Sequence, residues 1–411
     1  MGSSLSVTQT GLQAVENGMG AVSDNLANAG TDGFKSQEVN FESLLGEFID
    51  GNALGGGAVA NGVSTDFSQG SIVQTNSTTD LAIQGNGFFM LQEGSGATDY
   101  TRNGNLTIGN DGSLLAFNGA NVMGYAVNSS GVASGVLAPI VIPQGALAPT
   151  ASSNVGLTGN LDAGSAPITG TIDPTNPATY TSSVSVQLYD SLGKSHTLTV
   201  YYQNAGPTTS TPPTDQWNWT ATLDGSATGL TNNSGSIQFN SAGAVVSGGV
   251  PSSALTATVA GAAPLSLGLN FAQLTQFGTA SSLSGTADGN VAGQAVGVSI
   301  NPDGGVSVSY SNGKTANVAQ IAVATFTSEQ GLALGAGGTF QQTDASGAPT
   351  VQAAGAGGAG TLQSSALESS NVDVTNELVN LVVLQRSFQA NAKALQTEDQ
   401  IIGTVVQLQT T

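Results

Sequence analysis

The stretch Leu378-Val-Asn-Leu-Val-Val-Leu384 does most to decide the fold, because it is apolar on nearly every side of a helix. It lies in a helical pattern that runs from roughly Val374 to Leu408. Asp373 is the predicted N-cap, and Glu377 is favourably placed in the first turn. A helix that is apolar all round is normally buried on all sides. This segment is therefore expected to contact more than one partner surface.

Both ends of the chain carry apolar residues at alternating steps of three and four, the spacing of a heptad seam. In the C-terminal pattern these are Leu381, Leu384, Phe388, Leu395, Ile402 and Val405, with Asn391 and Glu398 in two further slots. Leu378, in the apolar stretch, is expected to belong to the same assembly interface. Near the N-terminus the seam residues are Leu5, Leu12, Val15, Met19, Val22 and Leu26, with Thr8 in one slot. The first helix is expected to end near Asn28-Ala29-Gly30. Residues 1–27 and 374–411 are therefore predicted to form helices that pair as a coiled coil.

The two predicted helices differ in length. At about 1.5 Å per residue, the C-terminal helix spans roughly 50 Å and the N-terminal helix about 35 Å. The shorter helix cannot cover the longer one, so apolar surface remains for another partner. Heptad spacing alone leaves two interpretations open: a helical hairpin packed on its own domain, or a seam between copies of the chain.

The chain between the helices has the pattern of short strands joined by tight turns. Dipeptides such as Asn103-Gly104, Asp224-Gly225 and Asn312-Gly313 favour two-residue hairpin turns. They flank β-branched runs, namely Ser183–Tyr189, His196–Tyr202 and Val296–Ile300. The predicted fold is mainly β with helical termini, the β part being nested sandwich-like or barrel-like domains.

Glycine-rich or small-residue stretches suggest the domain boundaries, at 51–62, 146–154 and 347–360. Residues 28–75 and 360–373 are expected to be connecting segments. The outer β domain is expected to comprise 76–147 and 286–359, and 148–285 is expected to be an inserted second β domain.

The low content of charged residues and the acidic net charge limit the kinds of partner that the chain is expected to bind. Charged residues are only 8 % of the 411, against roughly 25 % in an average globular protein. The net charge is −20, and the six cations never cluster along the chain: Lys35, Arg102, Lys194, Lys314, Arg386 and Lys393. Nucleic acid and anionic membranes are therefore not expected as partners. The N-terminus lacks the pattern of a cleavable secretory signal, and no apolar run is long enough to insert in a membrane.

The sequence offers little chemistry. The chain has no cysteine and a single histidine, His196, in a strand pattern that favours a structural role. No nucleophile elbow, phosphate loop or EF-hand loop is present, and the Asp-Gly pairs are better explained as turns. We therefore predict no enzymatic activity and no cofactor or metal.

Several longer segments resemble the flagellar rod and hook proteins. Asn25-Leu-Ala-Asn-Ala-Gly-Thr-Asp-Gly-Phe-Lys35 is similar to their N-terminal signature, and Asp80–Phe89 and Tyr100–Leu106 to motifs of their outer domain. Leu362–Asp373 and Gln385–Lys393 match their closing signature. The residues carried over from these motifs are Asn25, Asn28, Gly33, Phe34, Lys35, Gly85, Gly87, Phe88, Phe89, Arg386 and Asn391.

The chain's length and the likeness of residues 296–334 to hook proteins favour the hook over the shorter rod proteins. The resemblance implies a subunit that is exported by the flagellar type III apparatus and lies outside the cell in the flagellar hook. It implies self-assembly into a short, curved, hollow tube that acts as a universal joint. The implied partners are copies of itself, the distal rod protein, the hook cap protein and the hook-filament junction proteins. The alternatives are a distal rod protein and, from other classes, a secreted β-rich adhesin or glycosidase.

Overall fold

A computed structural model describes residues 2–49, 52–128, 133–210 and 213–409. Helix α1 is Gly2–Ala27 and helix α2 is Val374–Gln409, with the strands between them in sequence. The predicted fold class, mainly β with helical termini that pack together, is confirmed. Asp373 caps α2 as predicted, because its Oδ1 accepts the backbone N–H groups of Thr375 (2.9 Å) and Asn376 (3.2 Å).

Most strands are short, as the recurring turn dipeptides predict, whereas β1, β2, β13, β19 and β23 have 11 to 14 residues. In chain order they are β1 Gln37–Ile49, β2 Asn52–Thr65, β3 Ile72–Gln74, β4 Leu81–Gln84, β5 Phe88–Gln92, β6 Thr98–Thr101, β7 Leu106–Ile108, β8 Leu114–Ala116, β9 Asn121–Val127, β10 Ala133–Pro139, β11 Asn154–Asp162, β12 Ser182–Tyr189, β13 Ser195–Pro207, β14 Asp215–Leu223, β15 Leu230–Thr231, β16 Ser234–Phe239, β17 Val245–Ser247, β18 Leu255–Ala257, β19 Leu265–Phe277, β20 Ser282–Ala287, β21 Ala295–Ile300, β22 Gly305–Tyr310, β23 Thr315–Thr325, β24 Ala333–Leu334, β25 Phe340–Gln341, β26 Thr350–Ala353, β27 Thr361–Ser364 and β28 Ala366–Glu368. Single 3₁₀ turns occur at Pro177–Thr179, Glu329–Gly331 and Ala336–Gly338.

The chain divides into two compact units. The terminal unit comprises residues 1–144, 296–309 and 315–411, and the inserted unit comprises 145–295 and 310–314. The terminal unit therefore holds both helices together with most of the segments that the sequence assigns to the outer β domain, whereas residues 145–147, 286–295 and 310–314 fall in the inserted unit.

The β part of the terminal unit is built around one large sheet. Its strand order is β21-β22-β23-β9-β5-β6-β25-β24, with further strands pairing at its margins. An aromatic cluster closes its core: the ring of Phe88 packs edge-on against Phe67 and Phe326, 5.6 and 6.0 Å away between centroids. Two small ladders, β27 with β4 and β28 with β3, bring the chain that precedes α2 back beside the start of this domain.

The predicted connecting segment 28–75 contains a long antiparallel hairpin, formed by β1 and β2, which packs on α1. The glycine-rich stretch 51–62, expected to be a boundary, lies largely within β2, and that expectation is wrong. A glycine in this strand allows a backbone conformation and a close approach to α1 that a larger residue would prevent. Gly57 has a φ of +100°, and a Cβ at this position would lie 2.4 Å from Oγ1 of Thr10 and 3.2 Å from Cα of Val7 on α1.

The inserted unit contains two five-stranded sheets. Their orders are β15-β18-β19-β11-β20 and β12-β13-β14-β16-β17. One cluster of buried residues draws side chains from both sheets, including Trp217, Tyr202 and Phe239 from one and Phe271 from the other. A single shared core between two sheets is the arrangement of a β-sandwich.

Asp288 links the segment by which the chain enters the two-sheet core to the segment by which it leaves. Its Oδ1 accepts the backbone N–H groups of Ser153 (2.7 Å) and Asn154 (3.0 Å), while its Oδ2 accepts Ser153 Oγ and Asn154 Nδ2. Burial raises the pKa of the Asp288 carboxyl, but these four hydrogen bonds outweigh it and hold the pKa well below its ordinary value.

We expect Asp288→Asn to loosen this closure, since an amide presents a donor where only donors face it. Hydrogen exchange in segments that cover 152–162 should be faster in the variant at pH 7. Because the pKa of Asp288 is depressed on folding, its stabilisation is present above the pKa of the unfolded chain and is lost as pH falls through the folded value. The difference between variant and wild type should therefore shrink below about pH 4. Asp344→Asn, which changes an exposed aspartate, is the matched control; equal exchange in the two variants would contradict this account.

Candidate assembly interface

The two helices pack antiparallel in a register that advances by seven residues on each. Three contacts define it: Gly11 with Asn391, Gly18 with Leu384, and Asn25 with Glu377. A Cβ at Gly11 would lie 3.2 Å from Asn391 Nδ2, and one at Gly18 would lie 3.3 Å from Leu384 Cδ2. The pairing is thus a close heptad contact between small residues of α1 and larger residues of α2.

Most buried positions of α1 are displaced from the predicted seam by one residue, and only Val22 of the described seam residues is itself buried. Those buried are Ala14, Gly18, Val22 and Asn25, whereas Leu12, Val15, Met19 and Leu26 are only partly buried. The physical reason is close approach, since glycine and alanine let the backbone of α1 come near α2 and the ring of Phe41, so that larger side chains lie at the edges. Leu5 lies outside the residues whose side chains the structure describes.

The α2 residues predicted for the assembly interface fall into two groups. Leu381, Leu384 and Leu395 are half-buried, and Leu378, Phe388 and Ile402 are exposed. Asn391 and Glu398 are also half-buried. The side chain of Val405 lies outside the described residues.

The first turns of α2 present an apolar patch that α1 does not cover. It consists of Leu378, Val379, Val382 and Val383, which are 46, 56, 47 and 55 % exposed. At 100° per residue, Val379 lies about 160° from Glu377 and Leu381, so it points away from the seam. An apolar patch with this much exposure is typical of a surface that binds a partner.

The other end of α2 extends past its partner. The helix has 36 residues and α1 has 26, so they span about 54 and 39 Å. The register places Gly2 level with Gln400, which leaves the last turns of α2 beyond α1. Ile401, in this overhang, is 51 % exposed.

A buried ionic cluster joins the chain near the helices to the β domain. Glu368 is fully buried; its Oε1 binds Lys35 Nζ (2.7 Å) and the Gly70 N–H (2.9 Å), and its Oε2 lies 3.4 Å from a terminal nitrogen of Arg102. Lys35 also donates to the Ser68 carbonyl (2.6 Å). Burial lowers the pKa of Lys35, and Glu368 opposes that shift. We call Glu368, Lys35 and Arg102 the Glu368 clasp.

Amide side chains reinforce the clasp where the chain runs into the helices. Asn25 is buried, exchanges two hydrogen bonds of 2.8 Å with the backbone of Gln37, and donates to Glu377 Oε1 (2.8 Å). Asn371 accepts from the Ser36 N–H (2.7 Å) and donates to the Asp66 carbonyl (2.8 Å). Together these bonds connect α1, β1 and α2 with the segment between β2 and β3.

His196, in the inserted unit, is a buried strand residue with its hydrogen bonds satisfied. Its Nδ1 lies 2.7 Å from Asp224 and its Nε2 3.4 Å from Asp190. No group of three or more His, Cys, Asp or Glu side chains within the described ranges is arranged to hold a metal ion. None of the described helices combines the length and apolarity needed to cross a membrane.

Three family models match successive parts of the chain. They are the flagellar hook protein FlgE/F/G D1 domain at residues 82–163, the flagellar basal body protein FlaE D2 domain at 160–290, and the flagellar basal body rod FlgEFG protein C-terminal at 363–408. The last of these contains Glu368 and most of α2.

Whole-length relatives decide the family. The flagellar hook protein FlgE of Salmonella typhimurium is 31 % identical, over 98 % of this chain and 100 % of that protein. That of Escherichia coli is also 31 % identical, over 97 and 98 %. The chain belongs to the flagellar hook protein family. This family consists of structural proteins of the flagellum, and the chain is a hook subunit. The crystal structure of a Helicobacter pylori flagellar hook protein shares the fold, with a TM-score of 0.55 and 16 % identity over 72 % of this chain and 100 % of that one.

The glycines of the hook-protein motifs lie at tight points of the terminal unit. Gly33 has a φ of +71°, and a Cβ there would lie 2.4 Å from the backbone nitrogen of Asn103. Gly87 has a φ of +118° and lies against Val323. The carbonyl of Gly85 accepts from Arg102 (2.9 Å).

The other motif residues differ in their surroundings. Lys35 is a member of the clasp, Phe34 is buried next to it in sequence, and Phe88 and Phe89 are buried in the β core. Asn28 forms the turn that ends α1, where its Nδ2 donates to the Asp24 carbonyl (3.0 Å) and its carbonyl accepts from Thr31. Arg386 is exposed on α2.

Sequence reasoning missed Glu368, Arg102, Gly11 and Gly18 as residues that build this site. Glu368 and Arg102 lie within motifs that the hook-protein resemblance covers, but nothing in the sequence around either residue indicates that the two form an ion pair. The available signal for the glycines is a repeat of small residues, Gly11, Ala14, Gly18 and Ala21, at heptad spacing. The repeat was missed because larger apolar residues next to it follow the same spacing.

Glu368→Gln should destabilise the terminal unit by about 3–5 kcal/mol, because it leaves Lys35 and Arg102 buried without a counter-charge. Denaturant unfolding, followed by a probe in this unit, measures the loss. Glu93→Gln, a matched change at an exposed glutamate of the same unit, should stay within about 0.5 kcal/mol of wild type. Equal small effects of the two substitutions would show that the clasp contributes nothing.

Proposed function

We propose that this hook subunit assembles with copies of itself into a short, curved, hollow tube, in which the terminal helices line the channel and the β units form the outer wall. The tube acts as the universal joint that passes torque from rod to filament. The observation that carries this proposal is the apolar patch of α2, which no segment of the described chain covers.

The patch supports association because exposed valine and leucine are costly in water. Burying apolar surface stabilises by about 25 cal/mol per Å², or about 1.5–3 kcal/mol for a fully buried Val or Leu side chain. The patch and the overhanging end of α2 lie far apart along the same helix. Contacts between different surfaces of identical subunits generate a helical tube when they do not close into a ring.

The composition of the remaining surface suits a joint. With only 8 % charged residues and abundant Ser, Thr, Asn and Gly, contacts between neighbouring outer units are expected to be small and polar. Water replaces such contacts at little cost, so they can form and break as the tube bends. The role proposed for the chain is structural, with no catalytic step.

The proposal includes the position of the tube in the flagellum. The subunit leaves the cell through the flagellar type III export apparatus and lies in the extracellular hook. At the ends of the tube its partners are the distal rod protein on one side and the hook cap and hook-filament junction proteins on the other. The support for these partners is membership of the hook-protein family.

Replacing two patch residues with charges should prevent assembly. Val379→Asp with Val382→Asp should raise the critical concentration for polymerisation by at least about 100-fold, since two buried valines are lost and two charges would be desolvated. The fraction that sediments, and the curved tubes seen by electron microscopy, report the polymer. Both substitutions point away from α1, so the monomer's far-ultraviolet circular dichroism should not change.

The matched control is Val246→Asp with Val250→Asp, which alters two exposed valines of the inserted unit. It carries the same added charge and should still form tubes. Normal tubes from the patch variant, or a wild-type chain that never polymerises, would refute the proposed function.

A further inference from the structure

The cations of this chain are distributed unevenly between buried, inserted and helical positions. Lys35 and Arg102 are buried on Glu368, and Lys194 and Lys314 belong to the inserted unit. The remaining two, Arg386 and Lys393, are both exposed and both on α2. In a chain of net charge −20, they are the only exposed Lys or Arg side chains among the described residues of the terminal unit.

These two cations lie on one line along the outer side of α2. They are one heptad apart, about 10.5 Å along the axis, and about 200° around the helix from Leu384 and Asn391, which face α1. Val379 of the apolar patch precedes them on the same line by another heptad. The basic positions therefore continue the patch along the side of α2 that faces away from its own partner helix.

Arg386 and Lys393 have no counter-ion within the described chain. Neither forms a salt bridge, and no acidic residue stands three or four positions away from either along α2. Unpaired cations on a strongly acidic subunit are suited to bind an acidic surface.

The side of α1 that faces away from α2 supplies such a surface, next to the β1–β2 hairpin that packs on this helix. This helix contains no Lys or Arg, and its charged residues, Glu16 and Asp24, are both exposed. They stand about 12 Å apart along the axis, close to the spacing of the two cations, and about 80° apart around it, with Asp24 at the edge beside Gln37 of β1. Asp24 also accepts bonds from Asn28 and Gln37, which hold its carboxylate in place, whereas Glu16 makes no salt bridge among the described residues.

We propose that the outer side of α2 in one subunit docks on the outer side of α1 in a second copy, with Lys393 paired to Glu16 and Arg386 paired to Asp24. This rests on the proposed self-assembly. The intrachain register places Glu16 level with Arg386. A neighbour displaced by one heptad, about 10.5 Å, therefore brings Lys393 level with Glu16 and Arg386 within one residue of Asp24. The contact unites different surfaces, so it propagates along a helical lattice.

Charge reversal tests the contact in the full-length chain. Lys393→Glu should raise the critical concentration for polymerisation by about five-fold or more at low salt, because it converts an attraction into a repulsion. The effect should shrink as salt approaches 1 M, where screening acts within about 3 Å. Lys314→Glu is the matched control, since it makes the same charge change on an exposed lysine of the inserted unit and should have a much smaller effect.

A second charge reversal tests whether Glu16 is the residue that pairs with Lys393. Adding Glu16→Lys to Lys393→Glu should restore assembly towards the wild-type critical concentration, whereas adding it to Lys314→Glu should not improve assembly. If Lys393→Glu behaves like Lys314→Glu, or if Glu16→Lys fails to rescue it, the inference is overturned. A wild-type chain that never forms tubes would instead overturn the proposed function itself, so the two failures are distinguishable.

Discussion

The terminal unit depends on one imbalance: α2 is apolar on more sides than α1 can cover. Small residues of α1 bring the two backbones close and occupy a single side of α2, so Leu378, Val379, Val382 and Val383 stay in contact with water. The antiparallel register also leaves the last turns of α2 beyond α1. A monomer that satisfies its internal contacts this well still carries apolar surface, and association with further copies is the simplest way to bury it.

The Glu368 clasp holds the exposed surface of α2 in a defined position, because it fixes the segment that follows α1 and the segment that precedes α2. Glu368 comes from the segment before α2, Lys35 from the segment after α1, and Arg102 from the β domain. A buried carboxylate shared by two cations and a backbone N–H is costly to form and costlier to break, which favours one defined arrangement of these segments. The inserted unit has its own closed core, with Asp288 at its entry, and needs no help from the helices to bury its apolar residues.

Much of this organisation could be predicted from the sequence, and the remainder could not for definite reasons. Heptad spacing gave both helices, and Asp373 and Asn28 marked their ends correctly. The phase of α1 was missed because Gly11 and Gly18 contribute by letting backbones approach, a role that hydrophobic periodicity does not register. The hairpin of β1 and β2 was hidden because its glycines, such as Gly57, resemble those of a linker. The clasp pairs residues more than 260 positions apart, and no local pattern links Glu368 with Arg102.

The central claim, that α2 keeps a binding surface which only assembly covers, is tested most directly by chemical labelling. The chain has no cysteine, so Val379→Cys introduces a single thiol at the centre of the patch. Its rate of reaction with a maleimide is measured in monomers and in sedimented tubes. The account predicts rapid labelling in the monomer and strong protection in the tube. Equal rates in the two states would contradict it.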